Sequence, residues 1–196
     1  MTTNILKSMI VLTAMLFSGQ ALAEPDAKFL EWLEGVRMEA RTQGISDAIL
    51  DKSLADTVPI PRIIELDRNQ PESTITFTNY INRIVNATRV RIGRAKLDAH
   101  RKILDQVGQE FGVQPRFIVA LWGIETNFGQ FTGGFSVVDA LATLAYDGRR
   151  SAYFRGELMK AFKILEEGHI APEDMKGSWA GAMGQSQFMP SSFLAY

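Results

Sequence analysis

Glycine and proline cut this chain into short stretches, and within nearly every stretch the apolar side chains recur every three or four residues. From Asp26 the apolar positions are Phe29, Trp32, Leu33, Val36 and Ala40, one face of a helix, with Gly44 as its stop. Ser46 is placed to cap a short helix carrying Ile49, Leu50 and Leu54. Val58-Pro59-Ile60-Pro61 cannot prolong it, because neither proline has an amide hydrogen to donate, and it reads as extended loop. Asn69-Gln70-Pro71-Glu72 is a second interruption. A helical run then passes through Phe77, Tyr80, Ile81, Ile84 and Val85, and another through Leu97, Ile103, Leu104, Val107 and Phe111 to Gly112. Gly93 is the point where one long helix would kink or divide. Pro115 suits the first turn of a helix reaching roughly Thr126. Ser136 with Asp139 forms a capping box for a helix carrying Val138, Leu141, Leu144 and Ala145, broken at Asp147-Gly148. Ser151 reads as the cap of a last helix with Phe154, Leu158, Phe162 and Leu165, closed by Gly168. No alternating run is long enough to demand a sheet, and only Gly129–Phe135 leaves room for a small hairpin. The expected fold class is all-α.

Composition narrows the function classes. The chain is 46% hydrophobic and 22% charged, which is globular rather than disordered. Residues 1–23 read as a secretory signal: Lys7, then the apolar run Ile10 to Phe17, then the small-residue triplet Ala21-Leu22-Ala23. That run is too short to anchor a membrane. The mature domain is therefore 24–196, exported to the periplasm. The chain has no cysteine, so it has no disulfide and no thiol for a lipid after signal cleavage, and no membrane anchor is expected. Net charge is −1 with both signs scattered, and no basic face argues for nucleic acid.

Two places stand out chemically. In a helix from Pro115, Ile118, Leu121, Trp122 and Glu125 share a stripe. A carboxyl group continuing an apolar face is desolvated, which favours its neutral form and suits a general acid. A boundary Glu paired to a nearby Arg fits the same spacing. The second place is 177–190, rich in Gly, Ala, Ser and Gln. Small residues let backbone approach a ligand. Ser178, Gln185 and Gln187 offer neutral hydrogen-bonding groups, and Trp179 and Phe188 flat apolar faces. An ordinary loop packed by its small residues fits equally. Tyr80, on a helical pattern, reads as a core aromatic with its hydroxyl at the edge. Arg149-Arg150 reads as a solvated pair at a helix start, where the helix dipole gives arginine no advantage. His100 and His169 read as surface residues. No metal-ligand spacing, phosphate loop or nucleophile elbow is present, so no metal or cofactor is expected.

At Ala120-Leu121-Trp122-Gly123-Ile124-Glu125-Thr126-Asn127-Phe128-Gly129 the sequence closely resembles the lytic transglycosylase B family, murein transglycosylases with a lysozyme-like catalytic domain. More of the family pattern follows in order: Leu66 to Glu72, Phe77 to Tyr80, Asp139 to Tyr146, Arg149-Arg150 and Gly177 to Ser192. The resemblance covers about Phe29 to Tyr196. It implies that Glu125 is the catalytic acid/base, that Ser178 and Gln187 line a glycan groove, and that Tyr80 and Arg150 lie near it. Positions 185 and 186 vary among relatives and receive no role. The implied substrate is the glycan strand of peptidoglycan, cleaved between N-acetylmuramic acid and N-acetylglucosamine to leave a 1,6-anhydro end. Unlike a usual glycosidase, no second carboxylate is expected. Relatives continue past the position of Tyr196, many with an Asp-rich loop resembling a calcium site. The expectation is therefore a domain truncated at its C-terminus. An active enzyme, a glycan binder that does not cleave, and a helical export or scaffold protein remain the three alternatives.

Overall fold

The structure is a computed structural model that describes residues 26–69 and 75–196. The 1–23 signal segment, and Gln70-Pro71-Glu72 of the second interruption, lie outside the described residues. The chain is all-α, with ten helices among the described residues: α1 (Ala27–Thr42), α2 (Asp47–Leu54), α3 (Pro61–Arg68), α4 (Phe77–Ile84), α5 (Ala87–Ala99), α6 (Arg101–Phe111), α7 (Pro115–Thr126), α8 (Val137–Asp147), α9 (Ser151–Glu166) and α10 (Pro190–Ala195). Two short strands, β1 (Phe135–Ser136) and β2 (Lys176–Gly177), pair antiparallel, Phe135 opposite Gly177. The strand foreseen near Phe135 thus has a distant partner about forty residues on, beyond the reach of a local turn.

The core is organised around α8. Eight of its residues, from Val137 to Ala145, are buried, so it is apolar on every side and must lie inside. Its cap is as read from sequence: the Ser136 hydroxyl accepts the Asp139 N–H at 3.2 Å. Helix α9 packs along it through Phe154, Leu158, Phe162 and Leu165, and α1 through Phe29, Leu33 and Val36. Phe29, Trp32 and Tyr146 form an aromatic triplet joining α1 to α8, with centroids 5.0–5.6 Å apart. Polar links fasten the rim. Thr57 donates to Asp139 at 2.7 Å, and the Ile60 N–H donates to Thr143 at 3.1 Å. Glu166 accepts from both the amide and the hydroxyl of Ser46. Buried Glu157 accepts the Ser191 N–H at 2.8 Å and so caps α10 from α9.

A second, smaller cluster of Leu104, Val119 and Phe128, edged by Ile92, Leu97, Ile118 and Trp122, joins α5, α6 and α7. Here several expectations change. The long pattern after Thr76 breaks at Val85-Asn86 and at His100, not at Gly93. Asn86 caps α5 by accepting the Arg89 N–H at 2.9 Å, whereas Gly93 sits mid-helix where Phe128 packs against it. Pro61 does not merely prolong a loop; it begins α3 at the first-turn position. Arg150, in a left-handed conformation, replaces Ser151 as the residue before α9. Tyr80 is no core aromatic: it is 39% exposed, on a helix with no buried residue.

Phe162 is 0% exposed. Phe162→Ala should cost about 3–5 kcal/mol in urea unfolding, the usual range for emptying a phenylalanine site. A loss below about 1 kcal/mol would show that the α8–α9 interface is not the main source of stability.

Candidate active site

The end of α7 explains most of the motif that precedes it. Asn127, Phe128 and Gly129 all have positive φ, at 50°, 62° and 84°. This left-handed reversal closes the helix: the Asn127 N–H donates to Gly123 O at 3.2 Å and the Phe128 N–H to Trp122 O at 3.1 Å. It also folds the Phe128 ring back over α7. A Cβ on residue 123 would stand 2.7 Å from that ring, so only glycine fits there. Two successive non-glycine residues in the left-handed region carry strain, about 1–3 kcal/mol each, which buried Phe128 offsets by entering the small cluster.

This geometry turns α7 differently from the sequence reading. Its buried face is Val119, Gly123 and Thr126. Leu121 and Ile124 are 59% and 44% exposed, and Glu125 is exposed beside them. The carboxyl group was expected to be desolvated by an apolar stripe of its own chain. Instead it stands in the open at the edge of an uncovered apolar face, because the tertiary contacts take the neighbouring side of the helix.

The segment 177–190 lies directly against this helix end. It is built of two tight turns. In the first, the Ser178 N–H donates to Ala182 O at 2.7 Å, and the Ser178 hydroxyl accepts the Ala182 N–H at 3.1 Å. In the second, Met183 and Phe188 exchange backbone hydrogen bonds at 2.9 and 3.1 Å. Gln187, with φ 51°, donates its side-chain amide to Thr132 O at 3.1 Å and Gly184 O at 2.9 Å, which leaves its carbonyl end for other partners. Trp179 packs against the main core, while Phe188 is 41% exposed. The link to α7 runs through Gln185. Its backbone carbonyl accepts the Thr126 hydroxyl at 2.9 Å, and its side-chain carbonyl accepts the Trp122 indole N–H at 2.7 Å. Trp122 is itself held by the Lys96 ammonium 5.1 Å above its ring and by the edges of His100 and Phe128.

Glu125, Ser178, Gln187 and Phe188 are thus carried by two elements locked side by side. Tyr80 and Arg150 are not joined to them by any hydrogen bond among the described residues. Arg150 forms an ion pair with Asp67, which is 1% exposed, and its guanidinium lies 4.9 Å over Phe154. Arg149 donates to the Asp67 backbone carbonyl at 2.8 Å. The two arginines stay exposed, as read, and at the same time tie the end of α3 to the start of α9. Thr126 and Gln185 carry structural duties that sequence reasoning missed; a threonine hydroxyl and one glutamine among several give no periodic signal. His100 and His169 are exposed, as read. Among the described residues no group of three or more His, Asp or Glu could hold a metal ion.

Residues 28–196 match the family described as the transglycosylase SLT domain. The chain belongs to that family. It is 28% identical over 199 residues to the membrane-bound lytic murein transglycosylase B of Escherichia coli (strain K12), covering 91% of this chain and 55% of that protein. Its fold is similar to that of SltB3 from Pseudomonas aeruginosa in complex with NAG-NAM-pentapeptide, with TM-score 0.82 and 40% identity over 86% of this chain and 45% of that one. The soluble lytic transglycosylase SltB1 of the same organism matches with TM-score 0.77 and 33% identity, over 85% of this chain and 56% of that one. The lysozyme-like, all-α expectation holds. This chain spans about half the length of these relatives.

Gly133 is where the loop after α7 meets β2. Its φ is 98°, and a Cβ there would run into the Gly177 backbone carbonyl. Gly133→Ala should therefore destabilise the fold by about 1–3 kcal/mol and separate β1 from β2. A thermal unfolding midpoint equal to that of the parent protein would contradict this contact.

Proposed function

We propose that this protein is a peptidoglycan lytic transglycosylase with Glu125 as its one acid/base. The observation that carries the reading is the placement of Glu125 on the last turn of α7, flanked by two residues that grip Gln185 of the 177–190 segment. Membership of the transglycosylase SLT domain family supports it, as does similarity to a structure solved with NAG-NAM-pentapeptide.

In this reading a glycan strand lies along 177–190 and over the end of α7. The protonated Glu125 gives its proton to the oxygen joining N-acetylmuramic acid to N-acetylglucosamine, and the C1–O bond breaks. The acetamido oxygen of the substrate stabilises the positive centre at C1, with Ser178 or Gln187 orienting it and Phe188 offering a face to a sugar ring. Glu125, now a carboxylate, takes the proton of the muramic C6 hydroxyl, whose oxygen closes on C1. The product is a 1,6-anhydro end and no water is consumed. One carboxyl group cycling between the two forms is enough. Since Glu125 is exposed, the exclusion of water that a general acid needs must come from the bound sugars, together with Leu121 and Ile124 beside it. Tyr80 and Arg150 fit more remote roles, Arg150 through its hold on Asp67.

Glu125→Gln should lower release of anhydro-muropeptides from purified peptidoglycan by roughly 10²- to 10⁴-fold, the usual contribution of a general acid/base, while sedimentation with insoluble peptidoglycan is retained. A protein that binds the glycan but releases nothing even with Glu125 intact would be a binding module instead.

We also propose that the protein acts outside the cytoplasmic membrane, in the periplasm, after removal of residues 1–23. Among the described residues no helix is long and apolar enough to cross a membrane. Mass spectrometry of the exported protein should find Glu24 at its N-terminus; a chain still beginning at Met1 would refute the signal.

A further inference from the structure

Thr126 is 1% exposed, and its hydroxyl both donates and accepts. It accepts the Gly129 N–H at 3.0 Å and has one proton to donate, with the Gln185 carbonyl at 2.9 Å and the Trp122 carbonyl at 3.4 Å as acceptors. The shorter contact takes it, because hydrogen bonds weaken steeply with length. A single hydroxyl therefore joins three pieces of chain: the end of α7, the left-handed turn 127–129 and the 177–190 segment. One turn earlier Trp122 grips the other carbonyl of the same glutamine at 2.7 Å. These two anchors stand three residues before Glu125 and one residue after it. An exposed Glu125 has no hydrogen bond of its own among the described residues to fix its place. Its position relative to Ser178 and Gln187 is set by its neighbours.

We propose that Thr126 and Gln185 are positioning residues that hold Glu125 in register with the 177–190 segment. The proposal rests on the acid/base reading of Glu125 given above. Neither residue is required to touch the substrate; both act by fixing where the carboxyl group stands. Displacement of a reacting group by about 1 Å can cost on the order of 10²-fold in rate, so one lost hydrogen bond at this junction is enough to be seen.

The test uses the whole protein. Thr126→Val keeps the shape and removes the hydroxyl; Thr126→Ser keeps the hydroxyl and removes the methyl. The valine variant should lose roughly 10- to 100-fold in kcat with KM changed less than about threefold, and the serine variant should stay within about threefold of the parent in both. Trp122→Phe, which removes the indole N–H together with part of the ring, should show a loss of the same kind and serves if the valine variant does not fold. Amide hydrogen exchange should quicken about tenfold at Gly129 and across 183–188 in the valine variant and not in the serine variant. The proposal fails if the valine variant keeps the parent kcat, if valine and serine lose activity together, or if only KM rises. If the parent protein shows no turnover, the acid/base reading falls instead; unchanged exchange in the valine variant then overturns the latch separately.

Discussion

Helix α7 is held in register with the 177–190 segment by polar contacts. Its buried residues belong to the small cluster with Leu104 and Phe128, whereas 177–190 is fastened to the large core around α8. The described hydrogen bonds that bring these two parts together run through Thr126 and Trp122 to Gln185. An apolar contact tolerates sliding, because burial is non-directional. A buried hydroxyl with one donor and one acceptor in use does not, because breaking either bond strands a polar group away from water, at about 1–3 kcal/mol. A site split between two cores gains its register from directional bonds of this kind.

The division also has a dynamic side. The core of α1, α2, α3, α8 and α9 contains most of the fully buried large side chains, Phe29, Phe154 and Phe162 among them. The cluster under α5–α7 contains three buried residues, and α4 none. Local opening free energy follows buried apolar contact, and α4 to α7 contain the least of it. Glu125 is borne by that part and Ser178 and Gln187 by the other. A largely apolar pocket of about 260 Å³ opens between α4, α5 and α7, with Ile84, Val85, Val90, Val119 and Ile124 among its walls.

Much of this was legible in the sequence. The helical periods of α1, α8 and α9, the Ser46 and Ser136 caps and the left-handed stop at Gly112 are local, decided by side-chain spacing and backbone sterics. Glu125 and 177–190 were singled out through the motif, and the structure sets them side by side. The burial of Glu125 was misjudged. Period alone locates an apolar stripe on α7 but cannot choose between adjacent faces when both carry large apolar residues; the fold of Phe128 onto Gly123 chose. Tyr80 was misjudged for a similar reason: an amphipathic pattern shows that one face is apolar without supplying its cover.

The order of chain elements, the helical class and the identity of the candidate acid followed from sequence, since each depends on residues close together along the chain. Which face of α7 is buried, that β1 pairs with β2, that Arg149 and Arg150 serve Asp67, and that Gln185 accepts from both Trp122 and Thr126 were decided only by tertiary structure. The last three unite residues forty or more positions apart, and no local spacing encodes which distant group a hydrogen bond will find.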